Sequence, residues 1–255
     1  MQKTKHYYGL CALSIIPIRA NTDQASEQLS QLLYGDTFKI TEHRKDWNKI
    51  RVTFDGTEGW IQKNQVTPLS KETYKDLKAV KTPGYSSDLI AFVSQHNSQI
   101  IPVLLGSVVQ NAKTLDHTFE GELVSGTMDK DQLVPAALQY LNAPYQWGGK
   151  SPFGIDCSGL VQMVYKINGY ALPRDAKDQA NEGEVLSFVE ESSPGDLAFF
   201  DNEEGVIIHV GLIMQNNHVI HAHGCVRIDR LDQTGIFNVA KGEYTHHLRV
   251  IKKII

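Results

Sequence analysis

Cysteine is scarce: Cys11, Cys157 and Cys225 are the three in 255 residues, odd in number and dispersed. No disulfide framework can organise such a chain, and a reducing compartment suits it. It has no Cys-x-x-Cys pair and no His-Glu-x-x-His run, so the usual sequence signatures of zinc sites are missing. Positive charge is not in excess either; the net charge of −4 argues against a nucleic-acid surface. No apolar run is long enough to span a membrane. Lys3 and Lys5 precede Leu10-Cys11-Ala12-Leu13-Ser14-Ile15-Ile16, but Pro17 and Arg19 end that run without a small-residue cleavage site. It therefore reads as a first β-strand rather than an export signal, and a cytoplasmic location is expected. What remains is ordinary globular composition, 41% hydrophobic and 21% charged, with length for two or three small domains.

Asp156-Cys157-Ser158-Gly159-Leu160 is the most informative segment. It follows a glycine-rich turn, Trp147-Gly148-Gly149, and opens a stretch in which Leu160, Val161, Val164 and Ile167 share a helical face. Cys157 is thus expected in the first turn of a helix. Unpaired amides there favour a thiolate and lower the thiol pKa.

A thiol nucleophile needs an imidazole to carry its proton. His209 lies in Val206-Ile207-Ile208-His209-Val210-Gly211-Leu212 and His221 in His218-Val219-Ile220-His221-Ala222-His223. Both runs read as strands, joined through Gln215-Asn216-Asn217. A two-residue loop would put the histidines on opposite faces. A three-residue loop pairs Met214 with His218 and Gly211 with His221, making His209 and His221 diagonal neighbours on one face. We adopt that register, with His209 as base and His221 as its orienting partner. His223 shares the strand face and competes for the orienting role. His221, His223 and Cys225, with His209, also form a donor set that zinc would accept, but a thiol mechanism without metal or organic cofactor is the preferred reading. Cys11 and Cys225 read as passive strand residues.

These segments resemble the NlpC/P60 family of papain-like cysteine peptidases. The resemblance rests on Asp156-Cys157-Ser158-Gly159-Leu160-Val161, His209-Val210-Gly211-Leu212 and Ile220-His221-Ala222, in that order. It implies an α+β catalytic domain over residues 131–255, with the cysteine helix against an antiparallel sheet. It implies that Tyr145, in Pro144-Tyr145-Gln146-Trp147-Gly148-Gly149, joins the Cys157 amide as oxyanion donor. It also implies that Asp156 and Ser158 line the substrate pocket, although both suit helix capping.

Residues 1–68 read as all-β. The turn Gly35-Asp36, the central Trp47 and the closing Gly59-Trp60-Ile61 resemble a bacterial SH3 barrel. Residues 69–84, with Lys71, Lys75, Lys78 and Lys81, read as a linker or solvated helix. Residues 85–130 read as a second, incomplete SH3-like domain.

Several members of the resembled family cut the bond between γ-D-Glu and a diamino acid in murein peptides with a free N-terminal L-Ala. Leu172-Pro173-Arg174-Asp175 resembles the segment carrying that preference. Asp175 would pair with the free ammonium, or serve as a helix N-cap. The family's SH3 domain contributes polar groups to the pocket, for which Glu27, Asp36 and Glu58 are candidates. Two alternatives are a wall-binding module with an inactive peptidase domain, and an amidase or acyltransferase using the same thioester. The expected partner is a liberated murein peptide, with neither nucleic acid nor membrane.

Overall fold

The computed structural model describes residues 7–95 and 99–255. The chain forms two compact units, Met1–Gly126 and Thr127–Ile255. Among the described residues no helix is long and apolar enough to cross a membrane.

The first unit opens with seven short strands: β1 (Tyr8–Leu10), β2 (Ile15–Arg19), β3 (Gln28–Leu33), β4 (Thr37–His43), β5 (Trp47–Val52), β6 (Glu58–Gln62) and β7 (Thr67–Pro68). They form one antiparallel sheet in the order β3-β2-β6-β5-β4-β1-β7. Alternate residues such as Phe38 and Ile40, or Ile50 and Val52, turn inward, the period of a pleated strand. With Ile16, Ile18, Leu32 and Ile61 they enclose Cys11, which is fully buried. Burial pushes the Cys11 thiol far up, so it is inert packing. The expected single strand over residues 10–16 is instead split between β1 and β2. The break lets Cys11 exchange backbone bonds with the turn at Gly35 and Asp36.

The 69–84 segment is more than a linker. It holds α1 (Lys71–Ala79), whose first turn is capped by Ser70. Tyr74 is buried on this helix, stacked on Tyr8 at 4.4 Å and bonded to Thr53 Oγ1 at 3.1 Å. Residues 85–124 belong to the same compact unit as the first sheet. They supply β8 (Tyr85–Ser86), β9 (Ile90–Ser94), β10 (Ile100–Leu104), β11 (Thr118–Glu120) and β12 (Leu123–Val124). β9 pairs with β10 and β11 in one small sheet, and β8 with β12 in another. Val93, Val103 and Val109 pack on Tyr34 of the first sheet, so both parts share one unit.

The second unit begins with α2 (Leu133–Leu138) and the short hairpin β13 (Lys150–Ser151) and β14 (Gly154–Ile155). Next come α3 (Cys157–Ile167) and α4 (Ala176–Gln179), then β15 (Glu184–Leu186), β16 (Leu197–Asp201), β17 (Ile207–Met214), β18 (His218–His223), β19 (Cys225–Leu231), β20 (Gly235–Asn238) and β21 (Glu243–Lys253). The sheet order is β15-β21-β16-β17-β18-β19-β20, and β20 also pairs with β21. That last pairing closes β16 to β21 into a six-strand barrel. Closure removes the unpaired edges of the two outer strands.

Every residue of α3 is buried, which explains why it is apolar on more than one face. Asp156 caps its start, accepting the Gly159 amide at 2.7 Å. At its end Gly169 takes a left-handed φ of 87°. Gly169 N–H donates to Lys166 C=O and Tyr170 N–H to Tyr165 C=O, the paired bonds of a Schellman stop. Gly159 is fixed by space: a Cβ there would lie 2.4 Å from the Gly149 carbonyl oxygen. That contact seats the first turn of α3 against the glycine-rich turn before it.

Candidate active site

The β17–β18 hairpin has the three-residue register. Met214 pairs with His218 and Gly211 with His221. Asn216 and Asn217 both take left-handed φ, 58° and 56°, the geometry that asparagine tolerates best after glycine. His209 and His221 therefore meet on one face: His209 Nε2 lies 2.8 Å from His221 Nδ1, with the rings nearly perpendicular. His223 is exposed, its ring 6.4 Å from that of His221, and the bond to His209 goes to His221.

The hydrogen-bond chain continues to Asp229 and Arg227 on β19. His221 Nε2 lies 3.1 Å from Asp229 Oδ2. Arg227 donates to both Asp229 oxygens, at 2.7 and 3.0 Å. Burial pushes the Asp229 carboxyl up, but the bonds from His221 and Arg227 outweigh it, and its pKa is lowered. Asp229 is therefore a carboxylate, and a carboxylate only accepts. So His221 Nε2 carries a proton, and neutral His221 accepts at Nδ1. His209 must then donate from Nε2, which leaves its Nδ1 lone pair as the basic atom.

Cys157 stands at the N-terminus of α3, 7% exposed. The backbone amides of Val210 and Ser158 hydrogen-bond its sulfur, so the strand residue next to His209 touches the nucleophile. Burial, with the Asp156 carboxylate, nevertheless pushes the thiol up to about 12. The sequence argument expected the opposite direction; at this site desolvation exceeds the help of the helix amides. Burial and the neighbouring imidazoles hold His209 well below the usual histidine value of 6.5. Both shifts favour the uncharged forms, thiol and neutral imidazole.

Tyr145 is 38% exposed. Its amide donates to the Gly224 carbonyl at 2.9 Å, which pins it beside the turn between β18 and β19. Burial and the nearby Cys157 and Asp156 raise its phenol to about 12. It thus stays a protonated phenol, able to donate a hydrogen bond.

Asp156 and Ser158 do not face an open pocket as expected. Arg174, itself 6% exposed, reaches Asp156 with two nitrogens at 3.0 and 2.6 Å and Ser158 Oγ at 2.8 Å. The Gly148 amide also donates to Asp156, at 2.8 Å. Both residues are occupied in fixing the nucleophile's turn. Asp175, the next residue, is exposed at the N-cap position of α4 and makes no side-chain capping bond. In the first unit, Asp36 is buried and accepts the Leu33 amide at 2.9 Å, a turn-holding role. Glu58 pairs with Lys49 at 3.4 Å, and Glu27 sits before β3 and is exposed.

Sequence reasoning passed over Arg174, Arg227, Asp229 and His246. Arg174 carried a signal, a lone cation in the apolar segment beside Asp175. Arg227 and Asp229 stood on alternate residues of a strand next to His221. His246 had none: its ring stacks on His209 at 4.1 Å only because β21 closes the barrel.

Two outcomes follow from these geometries. Asp229→Asn would present an amide that can donate to His221 Nε2, reversing both tautomers and leaving Nδ1 of His209 protonated. We expect kcat to fall roughly 100-fold with KM little changed, measured by steady-state kinetics. The buried imidazoles also predict a pH-dependent stability. The pKa values of His209 and His221 are lowered, and that of His246 falls to about 4 through burial. Below pH ~6.5 the unfolded chain takes up protons that the folded chain does not. Their contribution is fully present above that pH and is lost as pH falls toward 4 and below. Urea midpoints in metal-free buffer should fall between pH 7 and 5, and a flat profile would refute this.

Comparison with known proteins agrees with the geometry. Residues 142–244 match the NlpC/P60 family and residues 16–67 the bacterial SH3 domain. The chain is 28% identical over 215 residues to the gamma-D-glutamyl-L-lysine dipeptidyl-peptidase of Bacillus subtilis, covering 76% of this chain and 71% of the relative. It is also 28% identical over 238 residues to dipeptidyl-peptidase 6 of Lysinibacillus sphaericus, covering 80% and 83%. The crystal structure of an NlpC/P60 family protein from Bacillus cereus superposes with a TM-score of 0.77 at 19% identity, covering 97% of this chain and 99% of that one. The chain thus carries an NlpC/P60 peptidase domain, preceded in sequence by a bacterial SH3 domain.

Proposed function

We propose that the protein is a cysteine endopeptidase that hydrolyses the γ-D-Glu–diamino acid bond of murein peptides with a free N-terminal L-Ala. The observations that carry the chemistry are the polarised chain from Arg227 through Asp229 and His221 to His209, and the buried Cys157 at the start of α3. Cys157 Sγ attacks the γ-carbonyl of D-Glu as its proton passes to His209 Nδ1. The Cys157 amide and Tyr145 hold the oxyanion, and His209 returns the proton to the leaving amine. Water, deprotonated by His209, then opens the thioester and releases L-Ala-D-Glu.

The substrate reading draws on two further supports. Asp175 offers an exposed carboxylate close in sequence to the Arg174 bridge that fixes the nucleophile. The Bacillus subtilis relative is named for a γ-D-glutamyl-L-lysine bond. A buried Asp175–ammonium pair would discriminate sharply, because an acylated N-terminus leaves the carboxylate desolvated and unpaired. The test compares kcat/KM for L-Ala-γ-D-Glu-L-Lys, its diaminopimelate analogue and their N-acetyl forms. We expect the acetylated peptides to be at least ~100-fold worse, and an Asp175→Asn variant to lose most of that preference. Equal rates would remove the N-terminal gate.

A further inference from the structure

Three imidazoles meet at the active site where the mechanism uses two. His209, His221 and His246 each offer a nitrogen within 4.8 Å of the other two. We propose that these three histidines form an inhibitory site for a divalent transition-metal ion of the zinc class.

The donor set suits such an ion, which takes imidazole nitrogens at ~2.0–2.1 Å in tetrahedral geometry. The shared hydrogen bond already sets His209 Nε2 and His221 Nδ1 2.8 Å apart, and a bridging ion needs them opened only to about 3.3 Å. His246 Nδ1 is held by Thr245 Oγ1 at 2.9 Å, so the nitrogen offered to the metal is Nε2. The outer shell is also in place. His221 Nε2–H donates to Asp229, the carboxylate–histidine arrangement that orients metal-binding imidazoles. Arg227 balances the charge of Asp229. An ion can arrive from the His246 side, since His246 is only partly buried and the exposed His223 ring lies 4.9 Å from it. A fourth position is left to water.

Occupancy would silence the enzyme by moving one proton. The metal takes the Nε2 lone pair of His209, so the proton Nε2 carried must move through solvent to Nδ1. The ring stays neutral, and the ion replaces the hydrogen bond between His209 and His221. Nδ1 is, however, the atom that must accept the Cys157 proton, and a metal-bound enzyme has no base. This inhibitory consequence rests on the peptidase reading; metal binding itself does not.

The competing arrangement is an ion held by the Cys157 thiolate and His209. The experiment therefore measures Zn2+ binding calorimetrically on the full chain, its Cys157→Ser variant and its His246→Gln variant, each first checked by thermal melting. The proposal predicts one ion per chain, affinity in Cys157→Ser within about threefold of the parent, and affinity in His246→Gln lower by tenfold or more. Any other pattern overturns it. Should His246→Gln fail to fold, the Co2+ complexes of the parent and Cys157→Ser decide: identical visible spectra without a sulfur-to-metal band support the three-histidine site, and a sulfur band in the parent overturns it. Because no readout depends on turnover, failure here is distinguishable from failure of the peptidase assignment.

Discussion

Cys157→Ala is expected to lower kcat by at least ~10⁴-fold, with the fold intact and substrate still bound. The site explains why so much depends on one atom. Without the sulfur, water would have to attack in place of an atom fixed at the start of α3. Tyr145 lies near Cys157 and is held by the hydrogen bond from its amide to the Gly224 carbonyl. Removing the sulfur leaves these groups in place without an acceptor for the acyl group. Cavity costs are small, since only one atom is lost and its neighbours are backbone amides. Steady-state kinetics with a thermal melt on the same sample check the prediction. Residual activity within tenfold of the parent would mean that the reaction does not pass through a Cys157 thioester. Peptide binding without turnover by the parent itself would favour the wall-binding alternative.

Arg174→Met is expected to destabilise the fold by about 3–5 kcal/mol, the usual cost of orphaning one member of a buried ion pair. The pair is well enclosed, with side chains 6% and 8% exposed and the nearest atoms 2.6 Å apart. Asp156 would keep its bonds from the Gly148 and Gly159 amides, but these do not neutralise its charge. The same carboxylate caps α3, so the loss should also loosen the Cys157 turn and lower activity under conditions where the variant is folded. A double variant, Arg174→Met with Asp156→Asn, should recover much of the stability, because no charge is then left buried and unpaired. Urea denaturation of the parent, both single variants and the double variant measures this coupling. Additive losses would show that the bridge is not what fixes the turn.

The sequence was informative where the chemistry is local. The helix at Cys157 could be read because Asp156 caps it, a glycine turn precedes it and an apolar run follows. The hairpin register could be read because two asparagines restrict the loop and one face must hold both histidines. The barrel closure was not legible: β20 and β21 pair across a bulge between Ile236 and Phe237, and no short-range pattern encodes that contact. His246 was missed for the same reason. The Arg174 bridge spans 18 residues, and its neighbour Asp175 drew attention through family resemblance. The direction of the thiol shift was misjudged because helix position is visible in sequence whereas depth of burial is not. Residues 85–130 read as a second, incomplete SH3-like domain by family resemblance. Their attachment to Tyr34 depends on packing between segments distant in sequence.

The most direct test of the account is the identity of the bond cut. The parent enzyme would be incubated with L-Ala-γ-D-Glu-L-Lys in water enriched in ¹⁸O, and the products identified by mass spectrometry. We predict L-Ala-D-Glu carrying a single label on the D-Glu γ-carboxyl, together with unlabelled lysine. Cleavage between L-Ala and D-Glu, label on the lysine fragment, or an intact peptide would each contradict the assignment of Cys157 and His209 to hydrolysis of the γ-D-glutamyl bond.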